Sequence, residues 1–381
     1  MSDIPVGLYI HVPWCIKKCP YCDFNSHKSP ELLPEKEYLK ALERDALVEA
    51  QGFKSRPVSS IFIGGGTPSL LSGEAVEQLL LMVNRNFSLE SDCEITLEAN
   101  PGAVERERFK VYRSAGVNRI SLGAQSFDDK ALKQLGRVHG SSDIERAIDA
   151  IANANIPRWN IDLMHGLPGQ TVESAMQDLR RALTFAPKHL SWYQLTIETN
   201  TAFYSEPPTL PDEDCLADIQ DEGHALLLSE GLNQYEVSAY ASDKERSRHN
   251  LNYWQFGDYA ALGAGAHGKL SQTSGQGLDV SRHWRIRQPD SFIAAVDSIA
   301  GRRTIDNDDL VFEFMLNAMR LMEGFQPQLF VDRTGLSMTS IESILTRLIS
   351  RELIEETEGF VRATELGRRY LNDLINEFIP A

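Results

Sequence analysis

The chain has 381 residues, 42% apolar and 24% charged, with a net charge of −16, a length that accommodates one large domain and a smaller one. The acidic balance excludes nonspecific nucleic-acid and anionic-lipid binding, and no apolar run exceeds five residues, so no transmembrane segment is predicted. Five cysteines, three of them in one motif, with an MSDIPVG start that lacks signal-peptide features, predict a cytoplasmic protein without a disulfide framework.

The first predicted strand, Leu8–Val12, runs into Cys15, Cys19 and Cys22, a CxxxCxxC series in HVPWCIKKCPYCDF. Three thiolates suit three corners of a 4Fe-4S cluster and leave one iron open to a small molecule. Zinc, with His11 as a fourth ligand, is the competing reading of the same residues, although zinc cysteines usually come as separated pairs. An amphipathic stretch, Pro34–Gln51, follows. The second strand, Ser60–Ile63, ends in Gly64, Gly65, Gly66 and Thr67, where the backbone can approach a ligand closely. The plainer reading is a tight turn, with Pro68 opening the next helix.

Helix Gly73–Asn86 leads to strand Glu94–Ala99, which carries Glu98, and helix Glu105–Ala115 leads to strand Arg119–Gly123, followed by Gln125 and Arg137. Helix Ser142–Asn153 precedes strand Trp159–Met164, which carries Asp162; helix Thr171–Phe185 precedes the sixth strand, His189–Ile197. This alternation demands crossover connections and a mainly parallel α/β sheet over residues 1–206, with ligand chemistry beyond the carboxyl ends of its strands. Singly, these polar residues have ordinary explanations: Glu98 as a strand cap, Arg137 as a surface ion pair. Together, at five successive strand ends, they predict one pocket.

Residues 207–307 hold a helix, Asp212–Glu230, and then loops rich in Gly, Ser, Asn and aromatics, to which the pattern assigns no architecture. Gly263–Gly268 fits GxGxxG but opens no convincing helix, so a close backbone turn is expected there instead of a dinucleotide site. From 308 to 381, helices Leu310–Met322 and Thr339–Ser350, a strand pair at 353–355 and 359–361, and a final helix Thr364–Phe378 predict a mainly helical, winged-helix-like domain. Seven arginines against thirteen acidic residues oppose DNA binding there and favour a structural or partner-contacting role.

CxxxCxxC after the first strand, GGGTP after the second and the six βα repeats together resemble the radical S-adenosylmethionine (SAM) superfamily, whose fold is a partial (β/α)6 TIM-like barrel. That resemblance implies SAM chelated to the open iron, where one electron cleaves a carbon–sulfur bond to release a deoxyadenosyl radical. Over essentially its whole length the chain is similar to the branch of oxygen-independent coproporphyrinogen III oxidases and HemW-type haem chaperones. YIHVPWC implies that Tyr9 contacts SAM and that His11 lies near the cluster. The resemblance also implies SAM contacts for Gly64, Gly65, Gly66, Thr67, Glu98, Gln125, Arg137 and Asp162. Phe24 stands where the oxidases carry a fourth cysteine, which favours the chaperones. So does HNLNYW, which implies haem binding by His249, Asn250, Tyr253 and Trp254, with His267 a weaker candidate and Trp284, Arg282 and Arg285 as neighbours of propionates or of solvent.

The cofactors expected from the resemblance are therefore a 4Fe-4S cluster, SAM and haem. The partners expected are acceptor haemoproteins, including respiratory proteins at the membrane, reached through protein contact, and a homodimer is compatible with cluster assembly. The competing activities are decarboxylation of coproporphyrinogen III to protoporphyrinogen IX and radical chemistry on another tetrapyrrole.

Overall fold

The computed structural model describes residues 4–54, 56–275 and 277–380, and the backbone alone for 103–106. Six strands run parallel: β1 (Val6–Val12), β2 (Val58–Gly65), β3 (Leu89–Ala99), β4 (Arg119–Gln125), β5 (Arg158–His165) and β6 (His189–Gln194). Helices α1 (Glu35–Glu49), α2 (Gly73–Asn86), α3 (Ala103–Ala115), α4 (Ser141–Asn153) and α5 (Val172–Leu183) make the crossovers. These are the six predicted βα units, and the fold is the expected partial barrel. Helix α2 starts where Ser72 accepts from the Ala75 N–H, while the Glu35 carboxylate accepts from the Ser72 N–H and hydroxyl, so α1 fixes the start of α2.

Alternation along the strands divides the sheet into two unlike faces. Leu8, Ile10, Ile61, Ile63, Leu97, Ile120, Leu122, Ile161, Leu163 and Leu190 belong to the main apolar core beneath the helices. Their neighbours Phe62, Glu98, Ser121, Gly123, Asp162 and Ser191 line a cavity on the other face. Register aligns them: Glu98 lies beside Ser121, Ser121 beside Asn160, and Asp162 beside Ser191.

The segment that sequence left without an architecture extends this same sheet at both edges. After α6 (Glu213–Ser229), strands β7 (Asn233–Glu236) and β8 (Ala239–Ala241) form an antiparallel pair whose second member joins β6, also antiparallel. After α7 (Arg248–Trp254), β9 (Asp258–Leu262) pairs parallel with β1, and β10 (His267–Ser274), β11 (Gly277–Arg285) and β12 (Ile299–Thr304) continue antiparallel. The order is β12-β11-β10-β9-β1-β2-β3-β4-β5-β6-β8-β7. Strand β1 is therefore interior, not an edge. A buried network ties the extension to α1: Arg285 donates to Asp45 (2.6 Å) and Glu49 (2.6 Å), and His283 Nε2 lies 2.8 Å from Glu49.

A second core forms around Phe314, whose ring meets Phe325 and Phe330 edge-on at 5.1 Å. It packs helices α8 (Asn307–Ala318), α9 (Pro327–Thr334) and α10 (Glu342–Ser350) against a hairpin of β13 (Ile354–Thr357) and β14 (Phe360–Ala363), with Phe325 bridging to Val361. This is the predicted helices-then-hairpin module. The final helix is corrected to two pieces, Glu365–Arg369 and Leu371–Asn376, broken at Tyr370. Gly367 lies so close to Leu353 that an added Cβ would fall 1.8 Å from its carbonyl oxygen, which holds the first piece against the hairpin. No helix among the described residues is long and apolar enough to cross a membrane.

Candidate functional site

The cavity at the carboxyl ends of the parallel strands has a volume of about 340 Å³ and gathers Cys15, Cys19, Cys22, Gly65, Gly66, Thr67, Glu98, Gln125, Arg137 and Asp162. The strand-end residues singled out in the sequence, Gly64 excepted, thus line one pocket. The volume lies near the lower end of the range for small-molecule sites, about 300–1,000 Å³.

All three cysteines are free and half-buried. Each sulfur has a polar neighbour: Thr67 Oγ1 donates to Cys15 (3.5 Å), Arg137 Nη1 lies 3.7 Å from Cys19, and the Ser26 hydroxyl lies 3.9 Å from Cys22. Burial pushes the Cys15 and Cys22 thiols above their ordinary pKa. Bound metal ions reverse that preference, since a coordinating thiol is deprotonated outright. Among the described residues no group of three His, Cys, Asp or Glu closes round a single metal ion. Three thiols spread along one pocket wall, each beside a donor, fit the predicted three-cysteine cluster.

Two glycines at the end of β2 are required individually. Gly65 has φ +115°, and a Cβ there would sit 2.5 Å from the His11 ring; at Gly66 it would meet the Trp14 carbonyl oxygen at 2.6 Å. Gly66 N–H donates to the Val12 carbonyl and Thr67 N–H to that of Trp14, both at 2.7 Å, so the edge is stitched to the cysteine loop. Gly64 packs under the Phe62 ring and the Glu98 carboxyl. Gln125 ends β4 with φ +71°, a strained backbone for a side-chain-bearing residue, on the pocket wall.

Glu98 accepts from the Gly65 N–H (3.1 Å), and burial, then the neighbouring Asp162, raises its pKa to about 8. Asp162 is also raised by burial, against bonds from Ser121 (2.9 Å) and Asn160 (2.7 Å). Arg137 Nη2 donates to Asn100 Oδ1 (2.6 Å) and the Gly123 carbonyl (2.8 Å), while its buried Nε has no partner. Tyr9 and His11 stand behind the wall, the Tyr9 hydroxyl 2.9 Å from His11 Nδ1, with His11 Nε2 2.8 Å from the Asn25 carbonyl. Burial lowers the His11 pKa to about 4, which leaves a neutral imidazole. Phe24 lines the pocket and is 58% exposed.

The Gly263–Gly268 turn is a close approach to the cysteine loop. Asn25 Nδ2 donates to the carbonyls of Ala264 and Arg287, both at 2.9 Å, and a Cβ at Gly265 would fall 2.3 Å from that nitrogen. His267, within it, is exposed and stacks on Trp284. Arg285 is buried in the network with Asp45 and Glu49, and Arg282 pairs with Glu313, so neither is a solvated surface cation.

The HNLNYW residues form α7, which packs on β1 and β2. Asn250 reaches the pocket lining. His249 is buried, with Nδ1 3.0 Å from Ser60 Oγ, Nε2 3.2 Å from the Tyr253 hydroxyl and its ring stacked on Phe62. Both ring nitrogens are engaged, and in this conformation neither is free for an axial metal bond. Tyr253 packs edge-on against Tyr259, and Trp254 lies under the Arg320 guanidinium. The polar strand and strand-end residues of the pocket not singled out from sequence include Asn100, Arg119, Ser121, Asn160, Ser191 and Tyr193. Alternate positions of β4 to β6 were the signal for most of them.

The Radical SAM superfamily matches residues 9–182, and the HemN C-terminal domain matches residues 305–370. The protein named heme chaperone HemW is 45% identical in Haemophilus influenzae and 46% in Escherichia coli, each alignment covering 98% of both chains. A mouse protein, radical S-adenosyl methionine domain-containing protein 1, mitochondrial, is 40% identical over 98% of this chain and 87% of its own length. Among solved structures, the coproporphyrinogen III oxidase HemN of Escherichia coli superposes with a TM-score of 0.82 over 99% of this chain and 90% of that one, at 22% identity, a likeness of fold. By sequence over its full length and by fold, this chain belongs to the HemW family of the radical SAM superfamily.

Proposed function

We propose that the protein is a haem chaperone: it holds a 4Fe-4S cluster on Cys15, Cys19 and Cys22, binds SAM in the cavity, and takes up haem for delivery to acceptor haemoproteins. The observation that carries this reading is full-length identity of about 45% to proteins named heme chaperone HemW, together with Phe24 beside the three cysteines. When bound, the cluster supplies one electron and an open iron to chelate SAM. The Gly64–Thr67 edge offers backbone groups to the aminoacyl end of SAM, and Arg137 offers a guanidinium suited to a carboxylate. Glu98, protonated near neutral pH, would donate a hydrogen bond there. Haem is the cargo. Of the two candidate imidazoles, exposed His267 is available without rearrangement, and His249 only if α7 leaves Ser60.

Haem titration of the anaerobically reconstituted protein, with and without SAM, tests the reading beside a coproporphyrinogen assay. Stoichiometric haem binding and no turnover are expected; catalytic formation of protoporphyrinogen would establish the oxidase instead. Spectra of the His249→Ala and His267→Ala variants identify the ligand, and Cys15→Ala should remove the cluster absorbance.

A further inference from the structure

Strand β4 leaves the barrel through an irregular turn. In its ladder with β5, Gly123 pairs with Asp162 and Gln125 with Leu163, so buried Ala124 is an extra residue, and Gln125 takes φ +71°. That conformation costs a side-chain-bearing residue free energy and persists only where its surroundings impose it. The Gln125 side chain lines the cavity and makes no hydrogen bond among the described residues, so the backbone alone sets where it lies.

The residue that imposes it is Asp178 on α5. Its carboxylate accepts from the Ser126 hydroxyl (2.6 Å) and the Phe127 N–H (2.7 Å), and Ser126 Oγ accepts in turn from the Asp128 N–H (3.0 Å). The two residues after Gln125 are thus fixed to the helix layer. Among the described residues six acids are no more than 6% exposed. Asp45, Glu49, Glu94, Glu236 and Asp258 each pair with an arginine or a lysine, whereas Asp178 makes no ion pair. Burial raises its pKa to about 6, which leaves it ionised at neutral pH and its bonds charge-assisted. A buried charge is costly unless it is hydrogen-bonded, and both donors to this one come from the exit of β4. The segment continues through a short helix, Asp129–Gln134, to Arg137, which has its own bonds to Asn100 and the Gly123 carbonyl. The anchor therefore bears on Gln125.

We propose that Asp178 is a positioning residue for SAM: from the helix layer, without touching the ligand, it holds the strained exit of β4 and so keeps Gln125 on the cavity wall in its binding position. The role rests on SAM binding as proposed above. Without the anchor the backbone at Gln125 relaxes toward ordinary conformations, and SAM binds only the fraction of molecules that still hold the strained one. The Phe127 ring, stacked on Phe185 at 5.8 Å, keeps the segment packed against the barrel in either case.

The test is SAM affinity by equilibrium dialysis on the reconstituted holoprotein, with iron content measured alongside, in the parent, Asp178→Ala, Asp178→Asn, Gln125→Ala and the Gln125→Ala/Asp178→Ala double variant. Asp178→Ala should keep the parent's iron and bind SAM about tenfold more weakly, the loss expected when the held conformation falls to about a tenth of the population. Asp178→Asn should keep most of the affinity, since its amide oxygen accepts from the Phe127 N–H and its amino group donates to Ser126 Oγ. Added to Gln125→Ala, Asp178→Ala should cost little more, because it acts through Gln125; a general loosening of the barrel would add its full effect. Parent affinity in Asp178→Ala, an additive loss in the double variant, or iron lost together with SAM refutes the role. Should Asp178→Ala fail to fold, Ser126→Ala, which removes one of the two bonds, gives the same comparison. A parent that binds no SAM overturns the SAM reading and the role with it; a parent that binds SAM, beside variants that match it, overturns the role alone.

Discussion

Gly66→Ala is expected to cost both stability and the cluster. The new methyl would lie 2.6 Å from the Trp14 oxygen, 2.8 Å from its carbon and 2.9 Å from its nitrogen, where ordinary contact begins at 3.4 Å. The chain must therefore open by roughly 0.8 Å, the shortfall against ordinary van der Waals separation. All three obstructing atoms are backbone, and hydrogen bonds of 2.7 Å from Gly66 to Val12 and from Thr67 to Trp14 pin both sides of the contact. Overpacking of this kind costs about 1–3 kcal/mol. Trp14 directly precedes Cys15, so the displacement falls on a thiol proposed to hold the cluster. Urea denaturation of the apoprotein and iron content after anaerobic reconstitution are the assays. Gly64→Ala is the control, because its tightest contact is the Phe62 ring edge at 2.8 Å, which a side-chain rotation relieves. If Gly66→Ala denatures with the parent's midpoint and takes up the parent's complement of iron, the steric reasoning is wrong.

Glu98→Gln should stabilise the apoprotein increasingly between about pH 4.5 and pH 8. The folded carboxyl, raised to about 8, keeps its proton while the unfolded one ionises, so the parent loses stability as pH rises through that window. The difference should approach about 5 kcal/mol and level off above pH 8; a pH-independent difference in urea midpoints would contradict it. Arg285→Met leaves Asp45 and Glu49 without their counter-charge and should destabilise by about 3–5 kcal/mol in chemical denaturation. A loss below about 1 kcal/mol would show that the network is not held as described. Asn25→Ala removes two hydrogen bonds from the cysteine loop, one to Ala264 in the Gly263–Gly268 turn and one to Arg287 after β11, worth about 1 kcal/mol each, and should speed cluster loss to a chelator. Unchanged bleaching kinetics would argue that the turn does not hold the loop.

The six βα units were legible because parallel strands buried on both faces read as apolar runs, and their polar inward positions interrupt those runs at fixed places. Glu98, Gln125 and Asp162 could be named for that reason. The edge extension was not legible: β9, Asp-Tyr-Ala-Ala-Leu, is short and takes its partner from the other end of the chain. His249 was legible as a motif member but not as a buried side chain, because the Phe62 ring and the Ser60 and Tyr253 hydroxyls that enclose it come together only through folding.

The Asn25 clamp also sets an order of events during synthesis. The loop that carries the thiols leaves the ribosome well before its anchors, the carbonyls of Ala264 and Arg287, which lie 239 and 262 residues downstream of Asn25. At translation rates of about 5–20 residues per second, that gap lasts roughly 12–50 s. Throughout it β1 also lacks β9, its second neighbour, and Cys15, Cys19 and Cys22 remain on an untethered segment. Metal loading onto a properly shaped loop therefore belongs after the chain has passed residue 287, and a truncation that ends before β9 would produce the CxxxCxxC motif without the loop geometry that gives it meaning.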